Sequence, residues 1–328
     1  MALAARGGDF DDRSVNAILR GAMRWHRPLM LVAAVTAPFV VLSLAGLVFD
    51  DRVLVGAPIW LKPLKFAVSI VIYAVTLAWL TTYLPRTRLA RWTATAIAIL
   101  LAIEYVIIVG QVLRGRQSHF NVATPLDAVL WGAMAVSITL LWIGNLVLAF
   151  FVMRRRIGDA AVTWALRAGT VISLAGMAIA FLMAKPTSEQ RTSMSDGTFA
   201  GIAGRHSVGV ADGGPIMPVT GWSTTGGDLR IPHFVGIHAL QALPLLALAL
   251  ALLAAWIPVL RAESARARLV LVASAGYAGL TGLTLWQALR GQPLLHPDGP
   301  TLLAGGALAA LVAAGAVFAL RTLPSGSE

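Results

Sequence analysis

Apolar residues in this chain are gathered into long runs instead of alternating with polar ones. The runs fall near 29–49, 64–84, 93–113, 128–153, 163–184, 234–258, 269–289 and 301–321. A helical crossing of a bilayer needs about 20 consecutive apolar residues. The pattern therefore predicts an all-α, polytopic integral membrane bundle of about eight transmembrane helices. Most polar breaks are short, but the one over 185–233 is long and glycine-rich. The expected organisation is a cytoplasmic amphipathic segment at 1–28, an eight-helix membrane domain at 29–322 with an extracytoplasmic lid at 185–233, and a cytoplasmic tail at 323–328. Within the first segment, residues 13–27 (RSVNAILRGAMRWHR) read as a short basic helix lying on the membrane surface.

Composition agrees with lipid as the solvent. Hydrophobic residues make up 58% of the chain and charged residues 12%, against roughly 25% charged in a soluble protein. The net charge of +11 is a topology signal. Arginines cluster at the N-terminus, in every second loop and at the C-terminus, as the positive-inside rule places them for eight spans with both termini cytoplasmic. No contiguous basic surface suits nucleic acid. Cysteine is absent, which excludes disulfides, thiol chemistry and Fe–S ligation. The first 28 residues lack the features of a signal peptide. Arginine far outnumbers lysine, as in GC-rich bacterial genomes, so a bacterial inner membrane is the expected location.

Two echoes suggest that the helices form two parallel four-helix repeats. Gln111-Val-Leu-Arg114-Gly115 ends the third run and Gln287-Ala-Leu-Arg290-Gly291 ends the seventh. Leu61-Lys-Pro-Leu-Lys-Phe66 opens the second run and Leu229-Arg-Ile-Pro-His-Phe234 the sixth. Chance matching of Leu/Arg-rich helix ends is the competing explanation. The lid holds Trp222, Val208, Ile216 and Met217, which favour a folded cover over a tether. Its first stretch, TSEQRTSMSDG, is polar throughout and reads as flexible.

Ionisable side chains at bilayer depth are costly and so mark candidate sites. Glu104 and Gln111 share one face of the third helix. His238 and Gln241 share a face of the sixth, with Glu104, His238 and Gln241 as the candidate reacting set. His233 lies about 140° from His238 on an ideal helix, so the two meet only if the helix entrance is irregular. Gly236 and Ala239 or Ala242 would let a neighbouring helix or a flat cofactor approach closely. Glu104 has His238, Arg114 and Lys65 as candidate partners, in a structural hydrogen bond, a proton relay or a metal shell. His119, His233 and His238 form a candidate three-nitrogen copper or zinc set, or supply two axial ligands to haem b. Lys62, Lys65, Arg114, Arg116 and Arg230 form a candidate site for a small anion or lipid headgroup. They run against the positive-inside bias. Pairing with Asp50, Asp51, Asp127, Asp212, Asp228 and Asp298 is the alternative for these cations, and headgroup anchoring the alternative for the histidines.

No phosphate-binding loop, nucleophile elbow or other enzyme motif is present. Three functions compete: a haem- or metal-binding redox protein, a transporter or receptor for a small anionic solute, and a non-catalytic membrane assembly or lipid-interaction protein. The sixth run shows no glycine or proline break near its middle, with Pro244 as its candidate kink. Discontinuous helices would favour transport, so the sequence puts the redox reading first.

Overall fold

The computed structural model describes residues 21–321. The tail and most of the basic segment at 13–27 lie outside the described residues. Helices dominate: α1 (Arg27–Phe49), α2 (Leu61–Thr81), α3 (Arg88–Leu113), α4 (Pro125–Arg154), α5 (Ala160–Ala178), the short α6 (Ala180–Met183), α7 (Ser188–Asp196), α8 (Arg230–Ile237), α9 (Ala239–Leu253), α10 (Glu263–Leu289) and α11 (Gly299–Arg321). Among the described residues, seven helices are long and apolar enough to cross a membrane. The count is eight if α8 and α9, bent by 43°, are one span. Large apolar side chains such as Val35, Val106, Leu303 and Leu311 point outward, as a lipid-facing surface requires. The chain is an all-α helical bundle of multi-pass membrane type.

The helices begin earlier than the apolar runs: at 299 instead of 301, and at 263 instead of 269. Polar caps explain several of these extra residues. Thr87, Thr124 and Asp159 each accept a hydrogen bond from a backbone N–H in the first turn of the following helix, satisfying donors that the helix cannot. Proline occupies the third position of both α2 (Pro63) and α8 (Pro232), where its missing N–H leaves no bond unmade.

Packing follows the same order in the two halves. In the first, α1 packs on α2 and α3, and α3 packs on α2 and α4. In the second, α5 packs on α8, α9 and α10, and α10 packs on α8, α9 and α11. The halves meet at α4 and α5. The helix ends repeat as well. Both α3 and α10 stop at a glycine with positive φ, Gly115 at 66° and Gly291 at 71°. The next N–H returns to Gln111 O (2.8 Å) or Gln287 O (3.2 Å), closing the helix as a glycine C-cap does. Arg114 then reaches Asp127 of the next helix at 2.9 Å, and Arg290 reaches Asp298 before the next.

The sixth span is broken at His238, which corrects the expectation of a continuous helix. Pro244 lies inside α9, six residues beyond the break. Side chains from neighbouring helices take up the backbone carbonyls around the bend. Tyr277 Oη donates to Val235 O (2.7 Å) and Ser173 Oγ to Ile237 O (3.1 Å). In hydrocarbon no water would do this. Gly236 and Ala239 do admit a neighbour, as their size predicts: α5 approaches them through Gly176 and Gly169.

The lid is folded. Its polar first stretch, expected to be flexible, forms α7. Thr187 and Gln190 make a reciprocal capping box, and Gly197 ends the helix in the left-handed conformation. Between α1 and α2, β1 (Val53–Leu54) pairs antiparallel with β2 (Ala57–Pro58), and within the lid β3 (Ser207–Val208) pairs antiparallel with β4 (Gly227–Asp228). Asn121 and Ile202 form a bridge that ties the lid to the α3–α4 connection.

Candidate functional site

The lid, the entrance of α2, the α3–α4 connection and the entrance of α8 converge on one polar cluster. Lys62 Nζ lies 3.0 Å from His119 Nδ1. An ammonium can only donate, so Nδ1 accepts and the His119 proton sits on Nε2. The His119 ring is walled by Phe66, Phe120 and Trp131, with centroids at 5.6, 5.9 and 5.7 Å. His206 stacks on the other side of this wall, 5.1 Å from Phe120. Lys65 Nζ donates to the lid carbonyl of Thr220 at 2.8 Å. Arg230 feels the charges of both lysines, although it comes from the opposite half of the molecule.

Arg230 is held by Asp228, which is fully buried. The carboxylate accepts from Arg230 Nε (2.9 Å) and Nη2 (2.5 Å), from Arg230 N (2.9 Å) and from Ser223 N (2.8 Å). Arg230 Nη2 also donates to Gly221 O at 2.7 Å. Arg114 is engaged with Asp127 in the same way, and Arg116 is exposed. Pairing therefore accounts for two of the five candidate cations. Among the described residues, neither Lys62 nor Lys65 has a carboxylate within 4.0 Å.

Glu104 is buried in α3, and its Oε2 has no hydrogen-bond partner. Lys62 is the charged group within its electrostatic reach. None of the three expected partners reaches it: Arg114 is on Asp127, Lys65 on Thr220, and His238 Nδ1 on Phe234 O at 2.7 Å. Gln241 donates to Thr76 at 3.4 Å and leaves its own Oε1 buried without a partner. It belongs to a different helix contact from Glu104.

The three-nitrogen set of His119, His233 and His238 is not assembled. Among the described residues, no group of three or more His, Cys, Asp or Glu is placed to hold a metal ion. His233 Nδ1 is occupied by Gly176 O (2.8 Å) and His238 Nδ1 by Phe234 O. The break at His238 does bring the two histidines within electrostatic range, as the irregular-entrance condition required. His206 and Asp228 were harder to read. Asp228 is one of six aspartates that could pair with the cations, and only the β3–β4 pairing brings it beside His206.

Two histidines of this cluster, His119 and His206, lie in connections outside the spans. Burial holds His119 well below the usual imidazole range, and the Lys62 charge adds to it. Burial also lowers His206, partly offset by its hydrogen bond to Asp212. Burial would raise Asp212, yet the His206 contacts keep it below the usual carboxylate range, so it stays ionised at neutral pH. Both imidazoles are thus neutral in the folded protein. Below about pH 6.5 the unfolded chain takes up protons that the folded chain refuses, so stability falls. Each histidine contributes at most about 1.4 kcal/mol per pH unit. The melting temperature of the purified protein should drop between pH 7.5 and 5.5. Replacing both histidines with asparagine should flatten that drop, and an unchanged slope in the double variant would contradict neutral burial.

Compared with known proteins, the chain matches no family model, no curated protein and no solved structure.

Proposed function

We propose that this protein is a multi-pass carrier or receptor of the bacterial inner membrane. It binds a small anionic group on its outer side, beneath the 185–233 lid. Orientation rests on the arginine-rich loops, which lie at the end opposite the lid. One observation carries the reading. Lys62 and Lys65 open α2, Arg230 and His233 open α8, and these corresponding entrances of the two halves meet in one cluster. A site between repeats, reached by a broken helix, is the arrangement that solute carriers use. The break at His238 supplies the discontinuity that the redox reading had counted as missing.

Within the site, Lys62 and Lys65 are the groups that bind the anion. Both ammonium groups face neutral acceptors, His119 Nδ1 and Thr220 O. A carboxylate, sulfate or phosphate oxygen offers a stronger charge-assisted bond than either. Arg230 is a positioning group, since Asp228 and Gly221 already occupy its Nε and Nη2 donors.

The test is thermal unfolding of the purified protein in acetate, L-lactate or sulfate at constant ionic strength. A bound anion at about 100 times its Kd stabilises by about 2.7 kcal/mol, a shift of several degrees. The shift should vanish in Lys65→Ala and Lys62→Ala. Nanodiscs of phosphatidylglycerol against phosphatidylcholine distinguish a lipid headgroup from a free solute. An equal response of wild type and Lys65→Ala to every anion and lipid would overturn the reading.

A further inference from the structure

We infer that Glu104 is the proton-binding site coupled to that anion, so that one proton enters with each monovalent anion. The inference rests on the anion-binding reading above.

The charges of the cluster balance. Lys62, Lys65 and Arg230 supply three positive charges, and Glu104, Asp228 and Asp212 supply three negative ones. His206 joins Asp212 to this set through its interactions with Arg230 and Lys62. A buried neutral cluster that accepts an anion becomes negative, which is costly in a medium of low dielectric constant. Uptake of a proton removes that cost, and hydrogen bonding determines which carboxylate takes it. Asp228 accepts four hydrogen bonds from Arg230 and Ser223. Asp212 accepts from His206 N and Ser207 N at 2.9 and 2.8 Å. Bonds of this kind favour the ionised form. Glu104 is buried as well, and its Oε2 has none.

Lys62 links the two events. The titratable and charged groups on the elements around Glu104 are Lys62, Lys65 and Tyr73 of α2 and Asp127 of α4; Arg154 of α4 and Arg27 of α1 lie at the far ends of their helices, and α3 itself carries Tyr105, whose hydroxyl donates to Pro63 O. Asp127 is taken by Arg114 and Gln111, Tyr73 by Asn145, and Lys65 by Thr220. Lys62 faces Glu104 on one side and His119 on the other. When an anion draws the Lys62 charge to itself, Glu104 loses its one compensating cation and binds a proton from the lid-side solvent. When the proton leaves, Glu104 competes for Lys62 again and the anion is released. His119 and His206 stay neutral through this range and take no part in the exchange.

The proton count is measured on the wild-type protein by calorimetry of acetate, L-lactate and sulfate binding, in two buffers of different ionisation enthalpy. The expected uptake approaches one proton per acetate or lactate. Affinity should fall about tenfold per pH unit above the Glu104 pKa. In Glu104→Gln the fall with pH should be shallower than in wild type, and the affinity should equal the wild-type value at low pH. Anion binding by wild type without proton uptake would overturn the coupling and leave the anion site standing. A folded Glu104→Gln that keeps the wild-type pH slope would do the same. Failure of all three anions to bind wild type would overturn both. Absence of proton uptake in the wild-type calorimetry overturns the coupling even if the variant does not fold.

Discussion

Leucine in place of Gly236 is expected to leave no monodisperse folded protein, and alanine to cost about 3 kcal/mol or more. A Cβ at Gly236 would stand 2.5 Å from Gly176 Cα and 3.2 Å from Thr281 Cγ2. The first obstacle is backbone, which cannot rotate aside, so α5 would have to withdraw. Withdrawal breaks the bonds from Ser173 to Ile237 O and from His233 to Gly176 O. Overpacking costs about 1–3 kcal/mol, and each lost bond adds about 0.5–1.5 kcal/mol. Gly282 is the control, because a Cβ there meets nothing within 4 Å. Its alanine variant should be neutral or gain up to about 1 kcal/mol. Thermal unfolding in detergent with size-exclusion analysis measures both. Equal stability of the Gly236→Ala and Gly282→Ala proteins would mean that α5 does not hold the bend.

That contact also shows where the sequence stops being legible. Length and hydropathy were enough for the spans, because bilayer thickness imposes a minimum run on each of them. The caps Thr87, Thr124 and Asp159 were readable in principle, but they are polar and fell outside the apolar windows. The break at His238 carries no local signal, since the proline that looked like the kink lies in regular α9. The bend exists because Tyr277, Ser173 and Gly176, all remote in sequence, satisfy or admit its backbone. Likewise Lys62, Lys65, His119 and Arg230 could be named as site candidates from their exceptional charge on the outer side. Asp228 could be named only as one of six pairing candidates, and Thr220 and His206 not at all as partners, because they arrive only when the lid pairs β3 with β4. The metal trio is not assembled for a related reason: residue type and depth were right, but packing does not gather the three rings around one point.

Removing the Arg230 side chain, as in Arg230→Met, is expected to cost about 3–5 kcal/mol, the range for leaving a buried charge unpaired. Asp228 has no solvent exposure and would keep only the N–H groups of Ser223 and residue 230. Asparagine at 228 retains an acceptor for a backbone N–H without the charge. Asp228→Asn/Arg230→Met should therefore be less destabilised than the single Arg230 variant, with a coupling of about 2 kcal/mol or more. Protease resistance of the 207–228 segment should follow the same order. An Arg230 variant as stable as wild type, with no coupling to residue 228, would instead make the guanidinium a free ligand group. The distinction reaches the binding site. Arg230 fixes Gly221 O, and Gly221 follows the Thr220 carbonyl that meets Lys65. Loss of Arg230 should thus weaken anion binding by misplacing what surrounds Lys65, and the double variant should recover stability without recovering that geometry. A variant that regains its fold but not its ligand would separate the group that shapes the pocket from the two lysines that bind in it.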